Sequence, residues 1–259
     1  MHLPSKRAQT LRRQSIYLLP NLFTLGALFG GFYAIVSAMN GQFEHAAVAI
    51  FVSMILDSLD GRVARMTHTQ SEFGAQFDSL SDMVSFGVAP ALVAYEWQLH
   101  TFGKPGWMVA FIYCACAALR LARFNANISI VDKRWFQGLP SPAAAALVAG
   151  LVWISREFND EFNPIAHLLP YAAFAITLFA GLTMVSNVRF WSFKEFNARK
   201  TVPFMAMVVA VLLLLVGVSR PELVFFLFFL GYAISGYVYW VWRALRPQQN
   251  GTPPPVNPT

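Results

Sequence analysis

Cysteine is nearly missing from this 259-residue chain. Its two copies, Cys114 and Cys116, cannot build a disulfide framework or a four-thiolate zinc site. Two residues apart in an apolar run, they point to different sides of any helix and read as small packing residues. The five histidines, His2, His45, His68, His100 and His167, are scattered with no partner at metal-ligand spacing and read as having no catalytic role. Charge is sparse as well: 12% of residues are charged, 56% are apolar and mean hydropathy is +0.49. That balance excludes a soluble globular domain and leaves an integral membrane protein. The net charge of +6 would suit nucleic acid, but the basic residues lie scattered between apolar runs, so no nucleic-acid partner is expected. No internal repeat is visible.

Acids are the rarer charged class, thirteen in all, yet four aspartates fall within residues 57–82. Asp57 and Asp60 are spaced i, i+3, and Asp78 and Asp82 are spaced i, i+4, so each pair shares one face of a helix. Two such helices would present four carboxylates to one another. Carboxylates that close repel unless a cation neutralises them, and an oxygen-only donor set favours Mg²⁺ or Mn²⁺ over zinc. Gly61 and Gly74 leave room for a phosphate or backbone to approach, Ala64 keeps its turn thin, and Arg65 supplies a fork matched to phosphate oxygens. The competing reading is a solvated loop with helix caps. Acids bordering a membrane core are costly and usually functional, which disfavours it.

Apolar spans are expected at 16–39, 43–60, 77–97, 106–124, 140–155, 167–187, 202–219 and 222–243. The fold class is therefore all-α: a polytopic membrane bundle of about eight helices, with a short N-terminal interfacial helix carrying Lys6, Arg7, Arg12 and Arg13. The first apolar run is too long for a signal peptide and reads as an uncleaved span. Sixteen of the nineteen Lys and Arg fall on one side of this layout. They include Arg62 and Arg65, then Arg120, Arg123, Lys133 and Arg134, then Arg189, Lys194, Arg199 and Lys200, then Arg243 and Arg246; only Lys104, Arg156 and Arg220 fall opposite. The positive-inside rule then puts both termini and the acidic motif on the cytoplasmic face of the cell membrane. Trp97, Trp107, Trp153, Trp240 and Trp242 are expected as interfacial anchors. Gly26, Gly30 and Gly31 give a Gly-x-x-x-Gly face for close helix packing. Three stretches result: an interfacial segment 1–15, a membrane domain 16–246 and a disordered proline-rich tail 247–259.

The pattern Asp-x-x-Asp-Gly-x-x-Ala-Arg, eight residues, Gly-x-x-x-Asp-x-x-x-Asp resembles the signature of the CDP-alcohol phosphatidyltransferase family without a departure. The resemblance spans roughly residues 17–187. It implies a homodimer with the site inside each protomer's helix bundle, CDP-diacylglycerol as donor, and two divalent ions. By the resemblance Asp57, Asp60 and Asp78 are metal ligands, and Asp82 is both ligand and the base that takes the acceptor's proton. Asn21 and Thr24, in Pro-Asn-x-x-Thr, together with Gly61, Arg65, Ser71 and Gly74, are implied to meet the CDP part. Read from the residues alone, Pro20 starts a helix, Asn21 and Thr24 satisfy backbone groups, and Ser71 caps a helix before Glu72. No His-x-Lys occurs, so the histidine-nucleophile route of the unrelated phospholipase D-like phosphatidylserine synthases is closed to this chain.

Acceptor choice must come from elsewhere. Arg120-Leu-Ala-Arg123-Phe-Asn125, followed by Gly138-Leu-Pro-x-Pro-Ala-Ala-Ala, resembles the phosphatidylserine synthase branch and implies L-serine. Arg120 and Arg123 interrupt an apolar run on one helical face, and one or both would hold the serine carboxylate or the lipid phosphate while Asn125 orients the amino acid. Lys133 and Arg134 read as positive-inside loop residues. Glycerol 3-phosphate or inositol is the nearest rival acceptor. A cation- or proton-coupled transporter is the rival from another class, though its acids should lie near mid-membrane.

Overall fold

An apolar chain that leaves water must satisfy its backbone N–H and C=O groups internally, and helices do this along most of the described residues. The computed structural model describes residues 6–126, 135–158, 166–191 and 219–245. Helix α1 runs over Lys6–Met39 and α2 over Phe43–Met66; after a turn come α3, Glu72–Asp82, a π-turn, Met83–Val88, and α4, Ala89–Trp97. Then follow α5, Lys104–Ala126, strand β1, Trp135–Gln137, α6, Ser141–Ile154, α7, Leu169–Val185, β2, Arg189–Trp191, and α8, Pro221–Leu245.

Among the described residues, five segments are long and apolar enough to cross a membrane: Leu19–Met39, Glu72–Trp97, Lys104–Ala126, Ala166–Val185 and Pro221–Arg243. The chain is an integral, polytopic helical membrane protein. α2 matches them in length but carries the acidic motif in its C-terminal part, and α6 is shorter. Helices among the described residues thus account for seven of the eight expected spans; the span at 202–219 lies outside them but for Ser219, as do Lys133, Arg134 and the tail. Two details differ from expectation. The basic N-terminal segment is the first part of α1 rather than a separate helix, and β1 and β2 form a short antiparallel ribbon pairing Trp135 with Trp191.

α6 is buried on almost every side, which its run Ala143–Ala146 permits, and α2, α4, α7 and α8 pack around it. α1 and α2 form an antiparallel hairpin. The glycine face is used as expected: a Cβ at Gly30 would strike Ser53 of α2, and one at Gly31 would lie 2.7 Å from Ser85 Cα in the π-turn. The π-turn itself has a local cause. Pro90 has no N–H to offer Phe86, four residues earlier, so the helix widens there, and the Tyr113 hydroxyl of α5 donates to the Phe86 carbonyl at 3.1 Å. The widened turn follows Asp82 directly.

The tryptophans divide. Trp107, Trp240 and Trp242 are exposed at helix ends as expected, but Trp97 is 6% exposed and belongs to the core, and Trp153 stacks with Phe225. Aromatic bulk near a span end serves packing as readily as anchoring. Cys116 is buried and Cys114 half-buried, both free thiols.

Candidate active site

The α2–α3 turn is what turns two spacings into one cluster. Thr67 caps the end of α2, its hydroxyl donating to Val63 O at 2.7 Å, and the Thr69 N–H returns to Ala64 O at 3.0 Å. His68 occupies the left-handed region at φ 53°, which reverses the chain. Ser71 then caps α3, its Oγ accepting from the Gly74 N–H at 3.0 Å. The cap reading of Ser71 therefore holds, and the residue also borders the cavity described next.

α3 returns along α2, and carboxylate oxygens of Asp57, Asp60 and Asp78 lie within 4.8 Å of one another. Asp82, one turn further along α3, stands in the electrostatic field of Asp57 and Asp78. Asp60 is 6% exposed and the other three are half-buried. Beside them opens a cavity of about 260 Å³ lined by Pro20, Asn21, Thr24, Asp60, Gly61, Ala64, Arg65, Thr69, Gln70, Ser71, Gly74, Ala75 and Asp78. All six residues implied to meet CDP line this one space. Thr69 and Gln70 line it too, and neither belongs to a motif that singles it out.

The donor set fits a divalent cation. It is made of carboxylate oxygens alone, and Asp78 Oδ1 is buried with no hydrogen-bond partner. Like charges gathered in a partly dry space need a counter-charge, and Arg65 reaches only the rim, where it is exposed. Thr24, 4% exposed, does more than line the cavity: its hydroxyl is 2.6 Å from Asp60 Oδ2.

The three residues expected near the acceptor stand apart from that cavity and from each other in their contacts. Arg120 is 9% exposed; its Nη1 donates to Ser141 Oγ at 2.7 Å and its Nε has no partner. It stands in the field of Asp82. Arg123 fastens three segments together. Its Nη2 donates to Gln137 O at 3.0 Å, and its Nη1 reaches Asn187 Oδ1 at 3.3 Å and Val185 O at 3.4 Å. Asn125 Nδ2 donates to Ser79 Oγ at 3.0 Å, tying the end of α5 to the helix that carries Asp78 and Asp82. Gly138, at φ 78°, lets the loop meet Met184 O where any Cβ would clash, which brings Gln137 within reach of Arg123.

Comparison with known proteins comes to the same place. The family described as CDP-alcohol phosphatidyltransferase matches residues 17–179. A Helicobacter pylori protein named CDP-diacylglycerol–serine O-phosphatidyltransferase is 39% identical over 231 residues, covering 89% of this chain and 94% of that protein. Proteins of the same name from Methanocaldococcus jannaschii and Bacillus subtilis are 35% and 34% identical, over 73% and 70% of this chain and 82% and 93% of their own lengths.

Proposed function

Because this chain belongs to the CDP-alcohol phosphatidyltransferase family, we propose that it transfers the phosphatidyl group of CDP-diacylglycerol to the hydroxyl of L-serine, giving phosphatidylserine and CMP. The observation that carries the reaction class is the gathering of Asp57, Asp60 and Asp78 beside a cavity lined by Asn21, Thr24, Gly61, Arg65, Ser71 and Gly74. Serine is supported by the printed names of relatives that match most of the chain.

Asp57, Asp60, Asp78 and Asp82 would hold divalent ions, two Mg²⁺ or Mn²⁺ in this reading. Bound there, the ions supply charge neutralisation for the diphosphate and the departing CMP. The chain's own residues do the rest. Arg65 forks onto diphosphate oxygens at the rim, Gly61 and Gly74 keep the walls low, and Asn21 and Thr24 border the nucleotide's space. Asp82 receives the proton of the serine hydroxyl as its oxygen attacks the phosphatidyl phosphorus and the bond to CMP breaks. A carboxylate so placed helps as the hydroxyl becomes acidic in the transition state, so positioning outweighs basicity.

At the acceptor end the contacts divide the labour. Arg120, buried, with Nε unpartnered and in the field of Asp82, is the better carboxylate anchor. Arg123 and Asn125 support that end through the carbonyls and Ser79 that they hold. We place the site and both termini on the cytoplasmic side from the distribution of Lys and Arg, and infer a homodimer from the family.

The test is CMP release from CDP-diacylglycerol by detergent-purified protein with Mn²⁺ or Mg²⁺ and, in separate reactions, L-serine, glycerol 3-phosphate or inositol. Serine-dependent release is expected. Release with another alcohol would keep the reaction class and overturn the acceptor; none with any alcohol would overturn both and reopen the transporter reading.

A further inference from the structure

We propose that Thr24 is a positioning residue that holds the two acid pairs in register for their cation, rather than chiefly a nucleotide contact; this rests on the reading of the acids as a cation site. The hydroxyl of Thr24 has one proton and two acceptors in reach, Asp60 Oδ2 at 2.6 Å and the Pro20 carbonyl at 3.2 Å. The shorter, charge-assisted bond takes the proton, so the carboxylate is the acceptor that matters. With Oδ2 fixed, Asp60 has one defined orientation toward Asp57 and Asp78.

The same residue grips the other helix through its backbone. Ser81, between Asp78 and Asp82 and 2% exposed, donates its Oγ to the Thr24 carbonyl at 3.1 Å. One turn further along α1, Ser85 repeats the contact on Ala27 O at 2.9 Å, next to the close approach at Gly31. Thr24 therefore touches α2 with its side chain and α3 with its carbonyl. A residue in α1 sets the distance between carboxylates that belong to neither its own helix nor each other's. Groups that orient metal ligands from behind are typically worth about 10–100-fold in metal affinity.

The test is Mn²⁺ binding to the full-length protein in detergent, without nucleotide or lipid, followed by electron paramagnetic resonance. Thr24→Val should weaken binding about 10–100-fold and Ser81→Ala by less, while Thr24→Ser should stay near wild type. At saturating Mn²⁺ the KM for serine should be unchanged in all three. Wild-type Mn²⁺ affinity in Thr24→Val, with a raised KM for CDP-diacylglycerol, would overturn the proposal and make Thr24 a substrate contact. Should Thr24→Val not fold, Thr24→Ala removes the same hydroxyl with less bulk and is read the same way. A wild-type protein that binds no Mn²⁺ would overturn the cation site itself, a different result from the failure of Thr24 alone.

Discussion

The two ends of α2 carry acids, border cavities and behave differently. At its start Glu44 pairs with Arg156 at 2.6 Å, and a cavity of about 320 Å³ opens among Glu44, Trp153, Arg156, Pro221 and Glu222. Sixteen residues on, about 24 Å along the helix, Asp60 joins Asp57 and Asp78 beside a cavity of about 260 Å³. The larger cavity is not the better candidate. Around Glu44 the acid has its cation in Arg156, and both side chains are well exposed, Arg156 at 71% and Glu44 at 42%. Around Asp60 the carboxylates face each other, and a buried oxygen of Asp78 has no partner. Uncompensated charge, rather than charge or volume, marks the candidate functional end.

That contrast can be pushed from both sides. The largest effect should follow Asp57→Asn, which removes the carboxylate at the centre of the cluster; turnover with serine should fall by about 10²–10⁴-fold, read as CMP release, with the protein still monodisperse. Next comes Arg120→Gln. If Arg120 anchors the serine carboxylate, kcat/KM for serine should drop about 10–100-fold while slow CMP release in water is spared, because only the acceptor loses a charged hydrogen bond. Equal loss of both activities would mean that Arg120 serves the fold instead.

Packing variants should then separate stability from chemistry. Gly31→Leu forces α1 away from Ser85 and should cost about 1–3 kcal/mol, seen as a lowered Tm in detergent. The smallest effect belongs to the other end. Glu44→Gln with Arg156→Gln removes a surface pair worth about 0–1 kcal/mol and should leave turnover at the wild-type level. A strong loss there would break the contrast between the two ends.

The acidic end was legible in the sequence because its information is local. Two spacings, two glycines and an arginine within residues 57–82 specify a helix, a turn and a returning helix, and the caps at Thr67 and Ser71 supply the turn. What escaped reading is long-range. Arg123 looks from sequence like a free cation, but its acceptors Gln137, Val185 and Asn187 arrive from up to 64 residues away. Thr24 looks like a helix back-bonder, which its contact with Pro20 partly bears out, while its partner Asp60 is 36 residues distant. Pro90 lies inside the span expected at 77–97, and nothing near it says that Tyr113 will donate to the Phe86 carbonyl it leaves unpaired. Trp97 went astray for the same reason: a span end on paper lies against other helices in the bundle.

The aspartate cluster at the α2–α3 turn is proposed to carry phosphatidyl transfer to serine. This is tested most directly by CMP release from CDP-diacylglycerol by wild type and Asp82→Asn, each with and without L-serine at saturating Mn²⁺. Release should depend on serine in the wild type and be lost in Asp82→Asn at unchanged Tm. Serine-dependent release that persists undiminished in Asp82→Asn would contradict it.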